Sequence, residues 1–127
     1  MRSDWAPPLA LWVQGDATAL TSCDRPVSIV GSRGVNEYGR HVARNLACQT
    51  ALNGHLVVSG GAMGIDAAAH WGALEAMNQL GAKVAGRTVA IFAGGLDHCG
   101  PTTNMRLFEQ ICAQHGALVS ECTPSTI

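Results

Sequence analysis

Three short segments of the chain carry the residue types that hold anions: Gly31-Ser32-Arg33, Gly60-Gly61-Ala62-Met63-Gly64 and Gly94-Gly95-Leu96-Asp97. Glycine lets a backbone turn tightly with its N–H groups exposed, and a helix starting just beyond adds its positive end. An alanine-rich segment of helical character begins at Ile65, directly after Gly64. Turn and helix start together make a cradle suited to phosphate. Ser32 and Ser59 supply hydroxyl donors, and Arg33 supplies a planar guanidinium able to clamp two phosphate oxygens. A glycine turn between strand and helix also forms simply to relieve crowding. Three such turns together with an arginine favour a phosphate-bearing ligand. Met63 stands where a cation would serve that ligand better.

Other polar residues read as structural first. Asp66 falls in the first turn of its helix, where the macrodipole favours a carboxylate, so it is expected to cap. Asp97 is placed either to cap or to bind ribose hydroxyls. His70 follows Asp66 at spacing i, i+4 and is expected to pair with it. Ser59 lacks the glycine two residues earlier that a nucleophile elbow needs, which argues against a hydrolase triad. His98-Cys99 and Cys112-x-x-His115 are zinc-ligand types at spacings that fit no zinc pattern. No catalytic set, metal site or cofactor is expected. Trp5, Trp12 and Trp71 read as packing residues, with base stacking the functional rival.

The elements that position these residues follow from hydrophobic periodicity. Short apolar runs, PVSIVG at 26–31, LVVSGG at 56–61 and TVAIFAGG at 88–95, end in glycine and read as buried strands. GALVSE at 116–121 has the same character, and LALWVQG at 9–15 suits an added edge strand. Helical patterns lie between: residues 38–52 with a stripe of Val42, Ala43, Leu46, Ala47 and Ala51, residues 65–80 with a small-residue face, and residues 104–115 with Leu107, Phe108 and Ile111 inward. Residues 81–87, holding Lys83 and Arg87, read as a flexible loop. Strand alternating with helix predicts an α/β fold, a Rossmann-like parallel sheet with helices on both faces. Every parallel strand then ends on one edge, where the three glycine turns and Ser120-Glu121 converge.

Length and composition bound the rest. The 127 residues are 47% hydrophobic, enough for one core, and the formal charge of −1 gives no global basic field, so any anion site must be local. Five cysteines without a CxxC motif argue for free thiols in a reducing compartment, hence a cytoplasmic protein. The N-terminus lacks a signal-peptide pattern, and no apolar run suits a membrane span. The tail CTPSTI follows closely on a strand and reads as a cut.

With these residues in view, the sequence resembles the DNA-processing protein A (DprA, or Smf) family. The resemblance is carried by LWVQGD at 11–16, VSIVGSRG at 27–34 with Tyr38-Gly39-Arg40, VVSGGAMGIDAAAH at 57–70, AIFAGGLD at 90–97 with Pro101 and Asn104, and GALVSE at 116–121. It implies a single partial Rossmann domain over 1–127, matched at about 9–124. A preceding helical domain, the later Rossmann elements and a terminal winged helix of the family have no counterpart here. The implied activity is binding of single-stranded DNA during DNA uptake (natural transformation) and delivery of the strand to the RecA recombinase, with no chemical reaction. Family homodimers use those later Rossmann elements. Residues and resemblance together give the expected DNA- and phosphate-binding set: Gly31, Ser32, Arg33, Ser59, Gly60, Gly61, Gly64, Asp66, Gly94, Gly95, Asn104 and Arg106.

The sequence departs from the family pattern at Met63, where Lys or Arg is usual, at Gly100, where tyrosine commonly precedes the proline, and at Met105, where a basic residue is usual. Two alternatives accompany the leading reading. One is a nucleotide-binding or nucleotide-hydrolysing enzyme of the LOG-like superfamily, whose PGGxGT signature is absent and for which Glu75 and Glu121 are candidate acids. The other is an inactive fragment.

Overall fold

A computed structural model describes residues 9–127; Trp5 therefore lies outside the described residues. The apolar runs form strands β1 (Trp12–Gly15), β2 (Val27–Ser28), β3 (Val57–Gly60), β4 (Thr88–Ile91) and β5 (Ala117–Ser120), joined in one sheet of order β1-β5-β4-β3-β2. β2 to β5 run parallel, and β1 closes one edge antiparallel to β5, with Trp12 opposite Ser120 and Gly15 opposite Ala117. Val57, Val89 and all of β5 are buried, as expected for strands covered on both faces.

Helices α1 (Glu37–Leu52), α2 (Ile65–Leu80) and α3 (Met105–Ala113) connect the parallel strands. Asn36 starts α1 by accepting the Gly39 N–H at 2.8 Å, one residue ahead of the expected start. α3 is shorter than its sequence pattern: Thr102–Asn104 form a separate 3-10 turn before it, and the helix ends at Ala113 with Gln114 as its cap. Leu107, Phe108 and Ile111 point inward as expected, against Leu74, Ala90 and Leu118. Burying each of these three side chains is worth about 1.5–3 kcal/mol.

The expected placement of helices on both faces is corrected by the strand order. Successive strands β2, β3, β4 and β5 step across the sheet in one direction, so right-handed crossovers put all three connecting helices on the same side. The opposite face holds Val89, Ala117 and Val119 beneath Ala19 and Leu20 of a 3-10 turn over Ala17–Thr21. Among the described residues, no α-helix covers that face.

The buried stripe of α1 also differs from its expected form. Ala43, Ala47, Cys48 and Ala51 face inward, while Val42 and Leu46 are exposed. A spacing of three to four allows either neighbouring stripe. Packing selects the smaller one, because α1 lies closely against Ala69, Ala73 and Ala76 of α2. Large side chains there would hold the helices apart. The segment 81–87 is an ordered turn, with Ala85 N–H donating to Gly81 O at 3.0 Å and Gly86 N–H to Ala51 O at 2.8 Å. No helix among the described residues is long and apolar enough to cross a membrane.

Candidate functional site

The first two glycine segments are joined through backbone. The Ile65 N–H donates to the Ser32 carbonyl oxygen at 3.1 Å, so the start of α2 is tied to the turn after β2. Gly64 adopts φ +78° and ψ −126°, and a Cβ there would collide with the carbonyl oxygens of Ser32 and Arg33. Only glycine meets both demands. Arg33 is thereby carried to the mouth of the 60–64 turn, exposed and without an ion-pair partner among the described residues.

Two buried side chains orient that turn. His70 of α2 is fully buried, with Nε2 2.9 Å from the Gly60 carbonyl oxygen and Nδ1 2.6 Å from the Thr88 hydroxyl. A carbonyl oxygen only accepts, so Nε2 carries the proton that bonds it. Burial pushes the His70 pKa down to about 4, against opposing pulls from the Gly60 carbonyl and the Asp66 carboxylate. The ring is therefore neutral at physiological pH, and Nδ1 accepts from Thr88. Nδ2 of buried Asn104 donates to Gly61 O at 3.2 Å and to Ala62 O at 3.1 Å.

Three successive carbonyls are thus drawn toward protein donors. In a planar trans peptide the carbonyl and the following N–H point in opposite directions. The N–H groups of Gly61, Ala62 and Met63 accordingly each point away from the side chain that holds the preceding carbonyl, and none of them meets a protein acceptor among the described residues. They border a hollow of about 480 Å³, whose wall also includes Arg33, Asp66, Phe92, Gly94, His98 and Pro101. Phe92 is fixed there by an edge-on contact with Phe108, with ring centroids 5.2 Å apart.

The third glycine turn behaves differently. Gly95 is buried, its N–H donates to Thr126 O at 2.8 Å, and the Asp97 N–H donates to Pro124 O at 3.0 Å. The tail 122–127 therefore occupies amides that the sequence left open to a ligand, while Gly94 still borders the hollow. Ser120 at the end of β5 supports this turn by donating its hydroxyl to Gly94 O at 2.7 Å. Ser59 is also spent, since its buried hydroxyl donates to Ile29 O at 2.5 Å. Ser32 keeps an exposed hydroxyl, which accepts the Gly34 N–H at 3.1 Å.

Several expected roles change in three dimensions. Asn104 faces inward onto the turn instead of outward toward a ligand. His70 bonds Gly60 and Thr88, and no hydrogen bond joins it to Asp66. Gly64 begins α2 without a side-chain cap, so Asp66 lies in the first turn but caps no N–H. Arg106 is exposed on α3, outside the wall of the hollow, as is Asp97. Gly31 packs against Ile65, where it brings the turn after β2 close to α2. Trp71 is half-buried against the α2–α3 cluster. Glu75 pairs with Arg44 at 3.2 Å on the outer side of α1 and α2, and Glu121 is exposed.

The gripped carbonyls of Gly60, Gly61 and Ala62 were not legible as such. Thr88 carries no sequence signal for its role, since a threonine opening a buried strand is ordinary.

This arrangement matches a known group of proteins. A family model described as DNA recombination-mediator protein A covers residues 1–127. The chain belongs to the DNA recombination-mediator protein A family. Within that family it is 43% identical over 117 residues to the putative DNA processing protein DprA of Mycobacterium tuberculosis strain H37Rv, covering 92% of this chain and 28% of that protein. It is 35% identical over 126 residues to the DNA processing protein DprA of Bacillus subtilis, covering 99% of this chain and 39% of the relative.

Among solved structures, the DNA processing protein A of Streptococcus pneumoniae superposes with a TM-score of 0.72 at 31% identity, over 92% of this chain and 37% of that one. That of Helicobacter pylori, solved to describe its single-stranded DNA binding mode, gives 0.73 at 30% identity, over 96% and 51%. The chain thus spans well under half the length of the two DprA relatives.

Proposed function

We propose that this chain binds the sugar–phosphate backbone of single-stranded DNA at the hollow between Arg33 and the 60–64 turn. The observation that carries the reading is the trio of N–H groups at Gly61, Ala62 and Met63, which meet no protein acceptor among the described residues and line the same hollow as the Arg33 guanidinium, itself without an ion-pair partner among them. Preorganised amides and one planar cation suit a phosphodiester, because each donates without reorganising. Ser32, Gly64 and Gly94 complete the contact set, with Asn104 acting from beneath it. The H. pylori relative, studied for its single-stranded DNA binding, supports the same reading.

The family role extends the proposal to delivery of the bound strand to the RecA recombinase in the cytoplasm, by recognition and not by chemistry. The test is fluorescence anisotropy with a labelled single-stranded oligonucleotide at two ionic strengths, beside a duplex of equal length. Saturable single-strand binding that weakens as salt rises supports the proposal. Binding that is absent, or indifferent to salt, defeats it.

A further inference from the structure

Another hollow, of about 450 Å³, lies between the 3-10 turn over Ala17–Thr21 and the turn at 81–87. Gly54 precedes β3 and Arg87 precedes β4, so this hollow opens at the amino edge of the sheet, opposite the glycine turns. Its wall joins the cations Lys83 and Arg87 with the hydroxyls of Thr18, Thr21 and Ser22. Among the described residues it holds no carboxylate and no aromatic side chain. Two like charges share one wall in a chain whose formal charge is −1. An anion between them relieves their repulsion.

Arg87 is held in position. Its Nη1 donates to the Thr18 hydroxyl oxygen at 2.7 Å and lies 3.5 Å from Asp16 Oδ2, and the side chain is only 22% exposed. Asp16 stands outside the wall, its Oδ1 accepting the Thr18 N–H at 3.0 Å and the Thr18 hydroxyl at 2.5 Å. It offsets part of the guanidinium charge and fixes the geometry. Of the five guanidinium N–H donors, only those on Nη1 have an acceptor among the described residues. Lys83 is exposed and has no ion-pair partner among them. The Ala82 and Lys83 N–H groups, in the same wall, likewise meet no acceptor there. Ser22 is committed, since its hydroxyl donates to Ala19 O at 2.7 Å.

We propose that this amino-edge hollow is a separate anion site that takes a small phosphate group, either inorganic phosphate or a compact phosphate ester. A fixed planar fork and a mobile ammonium are complementary ways of holding phosphate oxygens. The absence of an aromatic ring from the wall leaves a nucleobase nothing to stack on, which sets the ligand apart from a nucleic-acid strand. A phosphate held there ties the turn after β1 to the turn before β4. The inference stands on different residues from the carboxyl-edge hollow and does not depend on how that hollow is read.

The test uses the full 127-residue chain, in which Lys83 is the only lysine. Reductive methylation with labelled formaldehyde keeps the lysine charge and gives Lys83 its own NMR signal. Inorganic phosphate and glucose 6-phosphate are titrated at ionic strength held constant with chloride, while the Lys83 methyl signal and the amides of residues 82–87 are followed. Saturable shifts at Lys83 and Arg87 are expected, with affinity at least about fivefold lower in Lys83→Gln, as for loss of one charge-assisted hydrogen bond. Shifts that grow without saturating, or an unchanged affinity in Lys83→Gln, overturn the inference. The Lys83 signal needs no variant, so the titration decides the matter even if Lys83→Gln does not fold.

The amides of residues 61–64 report the carboxyl-edge hollow in the same spectra. Phosphate shifts confined to those amides overturn the amino-edge site. An oligothymidylate titration separates the sources of phosphate: no movement of Lys83 is expected. Movement of Lys83 at lower oligothymidylate than phosphate concentration overturns the small-ligand assignment.

Discussion

The imidazole of His70 and the carbonyl of Gly60 meet at 2.9 Å, so a residue wholly inside the protein sets the direction of the first peptide of an exposed turn. Asn104 does the same for the next two peptides. A mobile turn would expose its amides only part of the time, whereas three anchored carbonyls hold them outward continuously. Preorganisation of this kind removes an ordering cost from binding.

Replacing Asn104 therefore tests the cradle without touching its surface. Asn104→Asp keeps the shape but cannot donate, leaving the Gly61 and Ala62 carbonyls without their partner. A stability loss of about 1–3 kcal/mol is expected in denaturant melts. Oligonucleotide affinity should fall with it, although the side chain points away from the hollow. Unchanged affinity would separate the carbonyl grip from binding.

The buried imidazole makes stability depend on pH. The His70 pKa is about 4 in the folded chain against an ordinary value of 6.5, so the unfolded state takes up the proton first as pH falls. Stability from this group is complete above about 6.5, declines as pH falls toward 4 and levels off below it, a span worth roughly 3 kcal/mol. His70→Gln can still donate to Gly60 and should flatten this dependence. Thermal melts at several pH values across that window decide it, and an equally steep decline in the variant would assign the dependence to other groups.

Gly64 should tolerate no side chain. Gly64→Ala forces a β-carbon into a conformation at φ +78° and against the carbonyl oxygens of Ser32 and Arg33. The backbone cost alone is about 1–3 kcal/mol. Urea denaturation should show at least that loss. A variant as stable as the parent would mean that the turn can relax without harm.

The salt dependence of binding should report Arg33 and the missing cation. Each phosphate contact contributes about 0.7 to the logarithmic slope for single strands, and Arg33→Ala should remove about one contact. Met63 is 44% exposed at the rim of the hollow, so Met63→Lys has room to reach a strand and should tighten binding while steepening the slope. No change in Met63→Lys would place the strand elsewhere.

Much of the fold was legible in the sequence because strand and helix periodicities follow from local geometry. The four parallel strands, the edge strand at 9–15 and the inward face of α3 all came from patterns confined to one element. The helix face of α1 did not. Val42-Leu46 and Ala43-Ala47 stripes are equally periodic, and only the close packing of α1 on α2 chooses between them. The layering of the helices was likewise undetermined, since it depends on the order in which strands join.

Within the site, sequence alone determined which backbone segments meet: glycine turns after parallel strands must gather at one edge, whatever else the chain does. It also marked Arg33 as a cation beside them. Tertiary structure decided which of those groups remain available. Ser59 and Gly95 are consumed by Ile29 and Thr126, Asn104 turns inward, and Asp66 is left at the wall of the hollow without a hydrogen-bond partner among the described residues. The reason is that convergence follows from chain direction, which is written locally, whereas the availability of a donor depends on whether some distant acceptor has already been folded against it.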